Sequence, residues 1–278
     1  GSQTFLRTDW QKLDQLTKLP LRIDLTIGGM PVIVGCWRYD IVGIDGFVVP
    51  VYLLDTNRLE NPQWIREMTT NLYGGTHDTR ICQEIILGIG GIRMLRALGY
   101  RDIKTYHLNE GHTAFAPLEL LAERGYSDEA VRSSCVFTSH TPVPEGHDKF
   151  DYGNAYHYAG NYLPWHIRNL AGNDYLSMTH LAMNLSHKYF AVSQKHQAVS
   201  EHIFPGFHFD YITNGVHHRS WTAPTMQNLY DHYLPDWHLD PAKLINAPTI
   251  LPDDRLWEHH QNAKAKLIRV VNIHLNQG

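Results

Sequence analysis

His107-Leu-Asn-Glu-Gly-His-Thr-Ala-Phe115 and Phe137-Thr-Ser-His-Thr-Pro-Val-Pro-Glu-Gly-His-Asp-Lys-Phe150, separated by a helical segment, decide the fold. In each, an apolar run gives way to a polar loop bearing Gly and His, which is where α/β sheets keep their ligand sites. The neighbouring runs continue the alternation. Residues 103–108 read as a short strand, residues 113–124 as a helix with Phe115, Leu118 and Leu121 facing inward, and Ser134-Cys-Val-Phe-Thr138 as a second strand. Tyr189-Phe-Ala-Val192 and Tyr211-Ile-Thr213 add two more strands, with a helix expected over residues 194–202 between them. Each run ends in polar residues: Asn109, Glu110 and His112, then Ser139, His140 and Thr141, then Ser193, then Asn214, Gly215 and His217. If the strands are parallel, these groups line one edge of the sheet. The expected class is α/β, a Rossmann-like parallel sheet with flanking helices.

Upstream the period shortens. Leu21-Arg-Ile-Asp-Leu-Thr-Ile27 alternates apolar and polar, Gly28-Gly29 is a tight-turn signal, and Val32-Ile-Val34 resumes the alternation, so an N-terminal β-hairpin is predicted. Phe47-Val-Val-Pro-Val-Tyr-Leu-Leu54 is another strand, which Pro50 assigns to an edge or a bulge. Past Gly75, the residues Ile81, Ile85, Ile89, Ile92 and Leu95 share one helical face, with Asp78 or a neighbouring Thr as cap and Gly99 as terminator. Gly88-Ile-Gly-Gly-Ile-Arg93 lies inside that helix and not between a strand and a helix, so its glycines read as close packing and not as a dinucleotide loop. Downstream, crossover helices are expected within residues 152–171 and 177–188, and a long C-terminal helix carries Leu256, Ala263, Leu267 and Val270.

A chain of 278 residues, 43% of them hydrophobic, can bury a substantial core. A formal net charge of −4, with no run of Lys and Arg, provides no field for phosphate backbones or anionic lipid, so neither nucleic acid nor a membrane is an expected partner. Cys36, Cys82 and Cys135 are too few and too scattered for a disulfide framework or a Cys-x-x-Cys site, which suits a reducing cytoplasm. Of the 19 histidines, pairs such as His147/Asp148 and His217/His218 offer ligand types without a recognised metal spacing, so no metal is expected.

The two loop motifs, together with Ile212-Thr-Asn-Gly-Val-His217, resemble the short bacterial-type α-glucan (glycogen and maltodextrin) phosphorylases. Val51-Tyr-Leu-Leu-Asp-Thr56, Leu72-Tyr-Gly-Gly75, Arg80 through Gln83-Glu84 to Gly88-Ile-Gly-Gly91, and Val192-Ser193 with His196 follow in the family's order, over about residues 21–270. The resemblance covers only the later part of the family's N-terminal domain. It implies half of a two-domain glycosyltransferase (GT-B) fold and a transferase of carbohydrate metabolism that releases glucose 1-phosphate from α-1,4-glucan with inorganic phosphate. Residues 1–20 then read as an N-terminal extension, with Gly1-Ser2 a tag scar, and residues 21–278 as a partial Rossmann-like domain. The implied partners are an α-1,4-glucan or maltooligosaccharide, phosphate and a homo-oligomeric copy. The implied cofactor is pyridoxal phosphate, held by a lysine of the second domain; none is expected bound to this segment, which is expected to be inactive alone.

By the same resemblance His140 is the catalytic position, presenting a histidine and its main-chain carbonyl to the glucose ring. Asn109, Glu110, His112, Thr141 and Asn214 are the expected substrate-binding residues, with Pro142-Val-Pro144 holding the loop's shape. Plainer roles stand beside these. Asn109 is a possible helix cap, His112 a partner for a buried backbone group, Glu110 a helix N-terminal charge, Asn214-Gly215 a common turn pair and His147/Asp148 a loop brace. Trp10, Trp165 and Trp237 suit sugar stacking or a core. The competing function is a non-catalytic glucan-binding or oligomerising module; a nucleotide-sugar transferase and a His-based metal hydrolase rank below it.

Overall fold

Gly28 and Gly29 both adopt positive φ, 58° and 74°, the left-handed pair that a two-residue hairpin turn demands. In this computed structural model, which describes residues 13–43, 45–71 and 75–275, the turn joins strand β1 (Leu16–Ile27) to β2 (Met30–Val42). Trp10, the Gly1-Ser2 dipeptide and Leu72-Tyr-Gly74 lie outside the described residues. Alternate residues Ile23, Leu25 and Ile27 of β1 are buried with Val32, Val34 and Cys36 of β2, as a half-buried antiparallel ladder requires. β1 starts before the expected residue 21, because the register shift between Leu19 and Arg22 absorbs Pro20 without ending the strand. β3 (Val48–Asp55) completes a three-stranded sheet in the order β1-β2-β3, and so Pro50 does lie on an edge strand.

The next helix begins at Thr76, whose hydroxyl accepts from the Thr79 amide at 3.4 Å, while Asp78 sits in the first turn. It runs as α-helix through His77–Ile85, opens into a π-helical turn at Ile86–Gly90 and closes as α-helix through Gly91–Ala97. A Cβ on Gly88 would lie 2.6 Å from the Ala116 nitrogen, so the absent side chain lets the wide turn touch the following helix. A Cβ on Gly90 would meet Leu25 Cδ1 at 3.3 Å, whereas Gly91 faces open space. Two of the three glycines are therefore packing residues. Gly99, at φ 93°, ends the helix.

The second sheet is the parallel one. β4 (Tyr106–Asn109), β5 (Cys135–Ser139), β8 (Lys188–Ala191) and β9 (Asp210–Tyr211) lie in that order, all parallel. The chain is thus α/β, a four-stranded parallel sheet with flanking helices plus an antiparallel N-terminal sheet. The helix expected over residues 113–124 is shorter, Ala116–Glu123, because Gly111–Thr113 forms a 3-10 turn first. Between β5 and β8 the helices Tyr152–Ala159, Ile167–Ala171 and Met178–Asn184 appear, with an unforeseen antiparallel ribbon of β6 (Lys149–Asp151) and β7 (Tyr175–Ser177). Three residues per strand are too few for a legible alternation.

The chain divides into two compact units, the first ending at Thr213 and the second starting at Asn214. In the second, Trp237 is fully buried and its indole donates to Asp231 at 2.8 Å, a core role, whereas Trp165 in the first is 80% exposed. The 23-residue helix Asp253–Leu275 buries no residue.

Candidate functional site

The carboxyl ends of β4 and β5 meet over a cavity of about 410 Å³ lined by Arg80, Asn109, Glu110, His112, His140, Thr141, His147, Asp148 and Thr179, with Gly111 and Gly146 completing the wall. The adjoining strands are parallel, with Asn109 opposite Thr138, so both chains leave the sheet on the same side and their loops face each other. This is the placement the polar strand ends predicted for the first two loops.

Glu110 is the hinge of the site. Its backbone sits at φ 68°, ψ 167°, a region that non-glycine residues rarely occupy. The surroundings hold it there: its amide donates to Thr138 O at 2.9 Å, and its carbonyl accepts from the Thr113 hydroxyl at 2.8 Å. The strained backbone sends the carboxylate across to the β5 loop, where Oε1 accepts from the His140 amide and from the Thr141 hydroxyl at 3.0 Å. Thr141 also donates its amide to Ser139 Oγ at 3.3 Å. His140 thereby has its main chain tied down while the residue remains exposed at the cavity.

The floor is built from more distant residues. Arg80, on the first long helix, donates from Nη2 to Asp148 at 3.0 Å and lies 3.5 Å from Glu84 on the next helical turn. Glu84 is only 1% exposed; burial pushes its carboxyl well above the ordinary range, proximity to Asp148 adds to this, and Arg80 opposes it. His147 is buried, pairs its Nδ1 with the Thr179 hydroxyl at 2.9 Å and lies edge-on to Phe204. Burial lowers the imidazole pKa of both His112 and His147, so both favour the neutral form. Two glycines permit the closeness: a Cβ on Gly111 would stand 3.2 Å from Thr179 Oγ1, and one on Gly146 2.6 Å from Thr141 Cγ2.

Asn109, Glu110, His112, His140 and Thr141 therefore share one cavity, while Asn214 is exposed and opens the second unit. Asn109 ends β4 and caps no helix. Ser193, the third strand tip, caps its own helix by accepting from the His196 amide at 3.1 Å. Arg80, Glu84 and Thr179 belong to the site or its floor and were not singled out as site residues. The signal for Arg80 and Glu84 was a polar pair four residues apart on an otherwise apolar helical face. Among the described residues no group of three or more His, Cys, Asp or Glu is placed to hold a metal ion. A larger apolar cavity of about 860 Å³ lies beside β4, between the N-terminal sheet and the long helix. Its surface is mostly apolar although Asp55, Gln83, Glu84 and His107 also line it, whereas a hexose needs donors and acceptors on every side, so the smaller polar cavity is the better sugar site.

Comparison with protein-family models returns no match. Among individual proteins, the chain is similar to a maltodextrin phosphorylase of Thermococcus litoralis, 36% identical over 249 residues, covering 80% of this chain and 30% of that protein. A glycogen phosphorylase of Aquifex aeolicus is 31% identical over 259 residues, 78% of this chain and 35% of that protein. A glycogen phosphorylase of Mycobacterium tuberculosis is 34% identical over 249 residues, 74% of this chain and 29% of that protein. The chain spans about a third of the length of these relatives.

Proposed function

We propose that this chain, a homologue of one segment of the maltodextrin and glycogen phosphorylases, supplies the sugar-facing wall of the cleft in an α-glucan phosphorylase. The observation that carries the reading is the loop pair at the tips of β4 and β5, where the Glu110 carboxylate pins the His140 main chain at the mouth of a polar cavity. In this reading the segment is half of a GT-B fold, the opposite wall coming from a second Rossmann-like domain. Cleavage of an α-1,4-glucan by phosphate passes through an oxocarbenium-like sugar, which needs fixed dipoles and acceptors around the ring. Asn109, His140 and Thr141 provide them, and the bracing of Glu110 spares reorganisation when charge develops. Neutral His112 and His147 add polarity without a positive charge that would oppose the oxocarbenium.

The residues described do not fit pyridoxal phosphate. A Schiff base needs a lysine in a pocket, whereas neither cavity is lined by one, and the described lysines are exposed apart from half-buried Lys243. The cofactor and the phosphate-binding cations belong to the remainder of the enzyme, and the segment alone is inactive. The three cysteines are buried and free, in keeping with a reducing cytoplasm.

The test uses the longer polypeptide beside this chain. The longer polypeptide releases glucose 1-phosphate from glycogen and phosphate, and this chain does not; a longer polypeptide inert with pyridoxal phosphate present refutes the reading. A second reading, a glucan-binding or oligomer-forming module without chemistry, draws on the open outer edge of β4. Saturable maltooligosaccharide binding by this chain, with no phosphorolysis from the longer polypeptide, would favour it.

A further inference from the structure

Thr179 touches both loops of the cavity and belongs to neither. Its side chain is fully buried. Its hydroxyl lies 2.9 Å from His147 Nδ1, near the end of the β5 loop, and a Cβ on Gly111 of the β4 loop would stand 3.2 Å from the same oxygen. A side chain at residue 111 would push the β4 loop off this hydroxyl, so the approach depends on glycine. The sequence around Thr179 fixes its place. Ser177 pairs with Lys149 in the β6–β7 ribbon and caps the Met178–Asn184 helix, accepting from the His180 amide at 3.4 Å. The Met178 amide donates to the Asp148 carbonyl at 3.1 Å. The ribbon therefore ties the exit of the β5 loop to the first turn of the helix, where Thr179 stands.

The β5 loop is thus held at both ends. At its start Glu110 binds the His140 amide and the Thr141 hydroxyl; at its end Thr179 binds His147. His147 is buried and lies edge-on to Phe204, with ring centroids 4.9 Å apart, so its ring is packed as well as bonded. A hydroxyl suits this post because it donates or accepts, and so keeps its bond with either tautomer of the imidazole. We propose that Thr179 is a positioning residue: through its hydroxyl on His147 and its contact with Gly111 it sets the gap between the two loops, and with it the place of His140 at the cavity. The proposal rests on the sugar-wall reading where it concerns binding, but its first tests need no sugar.

The native chain gives the first test. By NMR, the Thr179 hydroxyl proton is a slowly exchanging resonance with a cross-peak to the His147 ring; a hydroxyl that exchanges as fast as that of an exposed threonine overturns the proposal. This test needs no variant, so it stands even where a substitution prevents folding. Thr179→Val keeps the shape and loses the hydroxyl, whereas Thr179→Ser keeps the hydroxyl. Thr179→Val shifts the His147 ring nitrogen resonances and speeds amide exchange over residues 140–148 about tenfold, with β4 and β5 unchanged, and Thr179→Ser restores both. Native exchange in Thr179→Val, or failure of Thr179→Ser to restore it, defeats the positioning role. Maltohexaose binding to the same samples tests the link to His140: the dissociation constant rises ~10-fold in Thr179→Val and returns in Thr179→Ser. Binding that Thr179→Val leaves unchanged overturns that link. A native chain with the hydroxyl and exchange signatures but without binding supports the role of Thr179 between the loops and counts against the sugar wall.

Discussion

Glu110 shows how one side chain converts strain into order. A non-glycine residue at φ 68° costs on the order of 1–3 kcal/mol, offset by the bonds its carboxylate makes to His140 and Thr141. Glu110→Gln leaves the backbone strained and removes the charge from these bonds, so it destabilises the chain by about 1–2 kcal/mol, read from the urea midpoint. It also weakens maltooligosaccharide binding, as does His140→Ala, which removes a side chain facing the cavity. Glu84 makes a pH prediction of opposite sense to an ordinary carboxylate. Its folded pKa is raised from 4.5, so the native state binds the proton more tightly than the unfolded chain. Its contribution is complete below 4.5 and declines as pH rises through the folded value. Glu84→Gln has no proton to lose, so its stability relative to the native chain rises with pH above 4.5, in urea titrations run across pH. His147 works on the acid side: its lowered pKa supports the fold above the ordinary imidazole value and withdraws that support as pH falls. His147→Gln blunts the acid branch of the same curve.

The helix between the two sheets owes its shape to glycines that face different things. Gly88 accepts the backbone of residues 115–116 into the space a methyl would fill, with contacts of 2.6 Å to atoms that cannot swing away. Gly88→Ala forces the helices apart and costs about 3 kcal/mol by overpacking, with urea unfolding as the measurement. Gly91 is also helical but has nothing within 4 Å of a Cβ, so Gly91→Ala gains helix propensity and stabilises by about 1 kcal/mol. The opposite signs of two substitutions three residues apart test the packing directly. The periodicity of Ile81, Ile85, Ile89 and Ile92 marked this helix in the sequence, and all four are buried. It did not mark the π-helical turn, because a widened turn between regular ones arises from a neighbour's backbone and leaves the local apolar spacing intact.

Taken whole, the chain leaves surfaces that ask for cover. β4 is the outer strand of the parallel sheet, with the large apolar cavity alongside it, and the Asp253–Leu275 helix exposes Leu267, Ile268, Val270 and Val271. Open strand edges and apolar stripes favour association, so light scattering is expected to find a dimer or larger assembly; a monomer persisting at high concentration would count against it. The hairpin, the edge position of Pro50, the parallel strands and the gathering of Asn109 with His140 were all legible from residue order, because turn chemistry and strand alternation act between near neighbours and strand ends collect on one side of a parallel sheet. Arg80 and Asp148 are 68 positions apart, and Glu110 reaches His140 across 30. No local pattern encodes such pairs. They exist only once the helix packs against the sheet and Gly111 and Gly146 let the loops close, since it is burial that raises a carboxyl's proton affinity and packing that supports a strained backbone.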